Sequence, residues 1–219
     1  MIAQSKSAIL AQNKYVITPS PIHTISPEQH WSSLKDGDGK ALETLYSLYA
    51  NSLYNYGSKF TTDQDLIKEC IQELFVILWT SKHSLGQPLS VKNYLFKAFR
   101  LSLFKKVKIF LKQTQYEETE QYDFDTSLSI EDTIIDGENQ AALQQRLQRT
   151  LSQLTSRQRE AIFLKFYEGL SYDEIAEVMG ITVKGTYKVV ARALEALHEK
   201  LSPEDFLLLL FLFHLKLFS

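Results

Sequence analysis

The stretch LSYDEIAEVMGITVKGTYKVVARALEAL, residues 170–197, carries two helices and the turn between them. Ser171 is followed three residues later by Glu174, a capping box in which hydroxyl and carboxylate satisfy each other's backbone N–H, so a helix begins at Tyr172. That helix puts Ile175, Ala176 and Met179 on one face. Gly180 supplies the turn, and Thr182 is a natural N-cap for a second helix running through Val183 to about Leu201. On the second helix Val183, Thr186, Val190, Ala193, Leu194 and Leu197 cluster on one side. Lys184, Lys188, Ala191, Arg192 and Glu195 occupy the other, which leaves an exposed basic face. Helix, glycine turn and basic helix, with small Ala176 at the crossing, is the arrangement that seats a recognition helix in the major groove of DNA. Lys184 and Lys188 then stand nearest the base edges, whereas Arg192, Arg157 and Arg159 suit phosphates. Gly185 argues the other way, since a glycine inside a helix costs about 1 kcal/mol relative to alanine. The alternative is a plain αα-hairpin whose lysines are only solvated.

Working outward, the 219 residues allow one large domain or two small ones, and 44% hydrophobic with 23% charged residues suffices to bury a core. The single cysteine, Cys70, lies in an apolar run; it excludes an internal disulfide framework and a cysteine-cluster zinc site, and fits a reducing, cytoplasmic compartment. The five histidines share no i,i+4 spacing, and no glycine-rich phosphate loop appears, so neither a metal, a cofactor nor a small-molecule substrate is expected. The formal net charge is only -2, but it hides two blocks. Val91 to Lys112 holds seven bases and no acid; Tyr116 to Glu138 holds nine acids and no base. Adjoining blocks of opposite sign cancel in the total while each keeps a strong local field.

The first 27 residues, with Pro19, Pro21 and Pro27, read as an extended arm without the apolar core of a signal peptide. Residues 28–112 show apolar positions at helical spacing, giving a domain of three or four helices. Residues 113–139 are an acidic linker, and 140–201 form the second helical unit. The tail, 202–219, contains FLLLLFLFHLKLF, apolar at eleven of thirteen positions from Phe206 to Phe218. That is too short for a bilayer, which needs about 20 apolar residues; it reads as a helix docked on its own domain or as a partner-binding tail. The expected fold is all-α: two small helical domains joined by a flexible acidic linker, the C-terminal one with a helix-turn-helix.

The N-terminal domain has two faces of interest. In DQDLIKECIQELFVILW, residues 63–79, Asp65, Glu69, Gln72 and Glu73 share one helix face opposite Ile67, Ile71, Leu74 and Leu78. In the helix from Tyr94, Lys97, Arg100, Lys105, Lys108 and Lys112 fall within about 140° of one another. Tyr94, Phe96, Phe99 and Phe104 interleave with them. Bases for phosphates and aromatics for stacking make the composition of a single-strand binding surface, although most of these phenylalanines suit a core.

Three stretches, LKDGDGKALETLYSLYANSLYNYGSKF from Leu34, CIQELFVILW from Cys70 and KNYLFKAFR from Lys92, resemble domain two of the bacterial extracytoplasmic-function (ECF) RNA polymerase sigma factors. The run from Leu151 to Leu197 resembles domain four of the same group, and the leucine-rich tail is similar to members from the Bacteroidetes. The resemblance implies that Asp65, Glu69, Gln72 and Glu73 form the polar face that docks on core polymerase. It implies that the helix from Tyr94 captures the melted minus-ten strand, with Lys97 and Arg100 the leading contacts and Lys105 and Lys108 beside them. Thr182, Val183, Lys184, Lys188 and Arg192 then read the minus-thirty-five element, with Arg157 and Arg159 on its phosphates. Core RNA polymerase, promoter DNA and an anti-sigma factor are the implied partners. Two departures stand out: Leu101 where the family usually has asparagine, and Gly185 in place of a residue commonly able to contact DNA.

Two other readings fit part of the chain. A LuxR-type transcriptional regulator would share LTSRQREAIFL and the helix-turn-helix, but its N-terminal domain would be a receiver or ligand-binding unit. A helical adaptor would use the acidic face and leucine tail without touching DNA. No nucleophile, base and anion hole occur together, so an enzyme is not expected. The adjoining charge blocks predict weak affinity of the free protein for DNA at physiological salt.

Overall fold

The computed structural model describes residues 25–113, 122–125 and 139–218, with side chains left out for 108–113, 139–144, 210 and 212–218. All regular structure among the described residues is helical. The N-terminal unit contains α1 (Pro27–Lys35), α2 (Gly39–Gly57), α3 (Gln64–Thr80) and α4 (Val91–Gln113), with one 3-10 turn at Lys82–Ser84. The C-terminal unit contains α5 (Asn139–Ser152), α6 (Ser156–Ile162), α7 (Tyr172–Met179), α8 (Val183–Lys200) and α9 (Pro203–Phe218).

Short polar residues start these helices. Ser26 and Gln29 make a capping box with Pro27 at the first helical position of α1, and Asp38 and Asp63 accept from the backbone N–H of Lys40 and Leu66. Each helix then turns its apolar stripe inward. Leu45, Leu53 and Tyr56 of α2 meet Ile67, Cys70 and Leu78 of α3 and Leu95, Phe96, Phe99 and Leu103 of α4, all fully buried. Burial of one such aliphatic or aromatic side chain contributes about 1.5–3 kcal/mol. The buried thiol of Cys70 matches the apolar run that contains it. The Trp31 indole N–H reaches the carbonyl of Gly86 at 3.0 Å, which ties α1 to the loop before α4.

Gly57 marks the closest approach in this unit. A Cβ placed there would lie 2.8 Å from Ile67 and 2.9 Å from Phe99, both buried side chains of the packed core. Gly57→Ala is therefore expected to lower stability by about 1–3 kcal/mol through overpacking, read as a shift in the urea midpoint without a change in slope.

In the C-terminal unit a second capping box, Thr155 with Gln158, opens α6. The helix then widens into a π-helical turn at Phe163–Tyr167, closed by the Glu168 N–H donating to the Phe163 carbonyl at 3.1 Å. The expected capping box of α7 is present, with Ser171 and Glu174 bonded reciprocally. Gly180 ends α7 at φ 66°, in the left-handed region that glycine enters without strain. α9 places Leu209 against the unit and leaves Leu207 and Phe211 more than half exposed. Among the described residues no helix is long and apolar enough to cross a membrane.

The two units close on each other. α7 packs on α4, and an aromatic cluster fills the seam: Tyr56 stacks on Phe163 at 5.8 Å, and Phe124 meets Phe60 at 4.9 Å and Phe163 at 5.8 Å. Phe124 belongs to the acidic linker yet is only 2% exposed, and the neighbouring Asp125 N–H donates to the Lys59 carbonyl at 2.7 Å. Residues 122–125 are thus docked into the seam; Gln113 ends α4 and Asn139 begins α5, and residues 114–121 and 126–138 of the linker lie outside the described residues.

Candidate nucleic-acid interface

α8 is held by its cap and displays its bases. The Thr182 hydroxyl accepts from the Gly185 N–H at 3.0 Å, and a Cβ on Gly185 would sit 3.1 Å from that same hydroxyl. The glycine that weakens the helix by propensity therefore leaves room for the cap. Thr186, Val190, Ala193 and Leu197 are buried, while Lys184, Lys188 and Arg192 are exposed, as the helical period predicts. Val183, placed by the period on the buried side, is 38% exposed at the helix start. Tyr187 was not singled out from sequence. It is 53% exposed between Lys184 and Lys188 and stacks on Tyr172 of α7 at 4.0 Å. Its place on the exposed side of the wheel was the available signal.

Arg157 is exposed near the start of α6. Arg159 is used internally: its guanidinium donates to the carbonyls of Leu154 and Ser152 and pairs with Asp123 at 2.8 Å, with the side chain 13% exposed. It braces the turn before α6 and the docked linker, so a phosphate would have to compete with these partners.

On α3 the structure brings Asp65, Glu69, Gln72 and Glu73 together on an exposed face. Lys106 of α4 clamps two of them, Glu69 at 3.1 Å and Glu73 at 2.9 Å. Desolvation works against the Lys106 charge, but hydrogen bonds to Glu73 and Glu69 outweigh it and raise its pKa. Val76 and Ile77 lie further along the helix, 59% and 57% exposed. They stand off the buried stripe of Ile67, Ile71, Leu74 and Leu78, and sequence reasoning does not single them out.

The α4 face differs most from the isolated helix. Tyr94 is at the surface, edge-on to Trp31 at 4.9 Å, and Lys105 is exposed; Lys108 lies outside the residues whose side chains are described. Phe96 and Phe99 are fully buried core residues. Lys97 faces Glu177 of α7 at 3.6 Å. Arg100 turns inward, its Nε 2.6 Å and its Nη2 3.2 Å from the two oxygens of Glu160. Glu160 is completely buried and also accepts from the hydroxyls of Tyr56 and Tyr122. The Arg100 guanidinium lies 4.3 Å over the Phe104 ring. Burial works against the Arg100 charge, but its bonds to Glu160 and the field of that carboxylate raise its pKa further still.

Three tyrosines of this region resist ionisation. Tyr49 is pushed up to about 12 by burial and then by Glu28; Tyr56 and Tyr122 are raised well beyond the ordinary value by burial first and then by Glu160, with Arg100 pulling the other way. A folded pKa above the unfolded value of about 10 favours the neutral phenol in the native state. Their contribution is complete below the unfolded value and is lost as pH rises through the folded ones, about 12 for Tyr49. Alkaline titration should show part of the tyrosinate absorbance arriving only with the unfolding transition. Simultaneous ionisation of all eleven tyrosines before any loss of helicity would contradict the packing of the seam.

Among the described residues no group of three His, Cys, Asp or Glu side chains is placed to hold a metal. The described residues present an open basic helix, an open acidic helix and a covered basic helix.

Comparison with known proteins fits this arrangement. A family model described as Sigma-70, region 4 matches residues 144–197, which span α6 to α8 and the end of α5. The chain is 28% identical over 182 residues to the ECF RNA polymerase sigma-E factor of Haemophilus influenzae, covering 78% of this chain and 92% of the relative. It is 25% identical over 156 residues to the ECF RNA polymerase sigma factor SigM of Bacillus subtilis, covering 71% and 92%. Among solved structures, the sigma factor RpoE of Bartonella quintana in complex with the anti-sigma factor NepR shares the fold, with a TM-score of 0.53, 20% identity, and coverage of 73% of this chain and 96% of that one. A basic helix-turn-helix matched by region 4, relatives aligned along most of their length and a common helical fold point the same way: this chain is similar to the ECF group of bacterial RNA polymerase sigma factors.

Proposed function

We propose that the chain directs core RNA polymerase to a set of promoters and assists the opening of promoter DNA, the polymerase performing the chemistry. The observation that carries this reading is the presence, on one chain aligned with ECF sigma factors over 71–78% of its length, of an exposed acidic helix and an exposed basic recognition helix. Residues 28–112 form the unit for core binding and the minus-ten strand, with Asp65, Glu69, Gln72 and Glu73 facing the polymerase. In the same unit Tyr94, Lys97, Arg100, Lys105 and Lys108 are the residues for DNA, for which Lys97 and Arg100 must first leave Glu177 and Glu160. Residues 140–201 form the unit for the minus-thirty-five duplex, read by Thr182, Val183, Lys184 and Lys188, with Arg157, Arg159 and Arg192 directed to the backbone. Residues 113–139 link the two units, and 1–27 and 202–219 flank them. The protein works in the cytoplasm beside the polymerase, and an anti-sigma factor is its expected regulator. The partner of the RpoE structure is such a protein.

The test is run-off transcription with purified core polymerase and genomic fragments. Discrete start sites that depend on this protein support the reading and reveal the promoter. A protein that binds duplex DNA but neither binds core nor changes transcription would favour the LuxR-type regulator instead.

A further inference from the structure

Tyr187 has no role in the function above, yet it stands in the middle of the exposed face of α8. Val183, Tyr187 and Ala191 follow one another at intervals of four, which makes them a row along the helix, and all three are exposed. Lys184, Lys188 and Arg192 follow at the same interval one residue on, so a basic row runs beside the apolar one. A tyrosine on a solvated helix ordinarily keeps its rotamer freedom, but a stack restricts this one. Its ring lies on that of Tyr172, the first residue of α7, with centroids 4.0 Å apart and planes 21° from parallel. Tyr172 is held in turn by Lys165, whose ammonium lies 4.8 Å from the ring centroid and donates to the Leu170 carbonyl at 3.2 Å. The π-helical turn, α7 and α8 thus each supply one member of the stack that fixes the Tyr187 ring.

We propose that Tyr187 is a specificity-determining residue of the recognition helix, its ring packing on the C5-methyl group of a thymine in the major groove, and that Tyr172 is the residue that positions it. The proposal deepens, and rests on, the reading of α8 as the helix that enters the minus-thirty-five duplex. The two rows divide the chemistry of the groove between them. Phosphates and the acceptor atoms of guanine suit Lys184, Lys188 and Arg192, whereas the thymine methyl group is the apolar feature of the groove and is met by an apolar neighbour. A ring already stacked has little freedom left to lose when it meets the base, so the contact discriminates at a small entropic cost. Ala191, one turn further on, is small enough to let the base edge approach the ring. The apolar row then distinguishes pairs that carry the methyl group from pairs that lack it, which the basic row cannot do.

The experiment uses holoenzyme assembled from the full-length chain and core polymerase, on a promoter mapped by run-off transcription. Each thymine of the minus-thirty-five segment, on either strand, is replaced singly by deoxyuridine, which removes the methyl group and keeps the base pairing. At one position, or at two adjacent ones, wild-type affinity should fall roughly fourfold, the effect expected of burying one methyl group. Tyr187→Ala should lose about as much on the unmodified promoter and lose nothing further with deoxyuridine at those positions. Tyr187→Phe and Tyr172→Phe should keep the methyl response, since neither hydroxyl takes part. Tyr172→Ala should weaken the response while affinity for core stays unchanged. In wild type, 5-iododeoxyuridine at the responsive position should cross-link to Tyr187 on irradiation, as mapped by mass spectrometry. A wild type indifferent to every deoxyuridine overturns the proposal, and so does a minus-thirty-five element without an A·T pair or a cross-link to another residue. A methyl response that survives Tyr187→Ala overturns it as well and leaves the stack as a clasp between α7 and α8; loss of the response in Tyr187→Phe overturns it in favour of a hydroxyl contact. The deoxyuridine and cross-linking arms use wild type alone, so a variant that fails to fold leaves the test decisive. Failure of wild-type holoenzyme to initiate at any site would overturn the functional reading, whereas initiation without a methyl response overturns the assignment of Tyr187 alone.

Discussion

Core binding should fall by roughly a hundredfold or more when Glu69→Lys, Glu73→Lys and Lys106→Glu are combined, measured as the equilibrium affinity of the chain for core polymerase before any DNA is added. The choice of three changes follows from the clamp: Lys106 holds both glutamates, so reversing the acids alone would set three cations against one another. Exchanging all three keeps both ion pairs and inverts only the sign that the outer α3 face presents. Exposed pairs of this kind contribute about 0–1 kcal/mol to folding, so the melting temperature should stay at the wild-type value. The loss of binding then reports the interface and not the fold. An affinity unchanged by the swap would move the polymerase contact away from α3.

Reversal of the recognition helix should have an effect of similar size and a different signature. With Lys184→Glu, Lys188→Glu and Arg192→Glu combined, transcription from a mapped promoter should drop roughly a hundredfold or more, since each lost base-edge contact costs about 1–3 kcal/mol. Affinity for core should be unaffected. The side chains are exposed and outside the buried stripe of α8, so helicity should be preserved. Holoenzyme binding to promoter duplex should also lose salt dependence, the log–log slope falling by about 0.9 for each phosphate contact removed. A helical adaptor would be indifferent to these changes.

Much of this architecture is legible in the chain because its signals are local. Ser171, Glu174, Gly180 and Thr182 lie within a dozen residues, each acts on the backbone beside it, and the helix-turn-helix forms as they dictate. The α3 face is legible for the same reason, since helical period alone decides which side is polar. Glu160 is the opposite case. In LTSRQREAIFL it reads as one more polar residue on a short helix, and its burial depends on Arg100, sixty positions away, and on Tyr56, 104 positions away. Arg100 reads as an open cation because the composition of one helix says nothing about what packs on it. The linker reads as uniformly solvated because its acids outnumber Tyr122 and Phe124, yet those two rings dock it.

The π-helical turn at Phe163–Tyr167 gains its meaning from the seam. Glu160 precedes it, Glu168 and Glu177 follow it, and all three meet the same helix. An α-helix advances about 100° per residue, so one residue more or fewer would rotate Glu168, at the end of this helical run, by that amount relative to Glu160. The wide turn takes up one extra residue and acts as a phase correction, a vernier between two sets of carboxylates. A length change between Glu160 and Glu168 would misalign those two carboxylates even if every side chain were kept, which makes spacing here as much a determinant of the seam as charge.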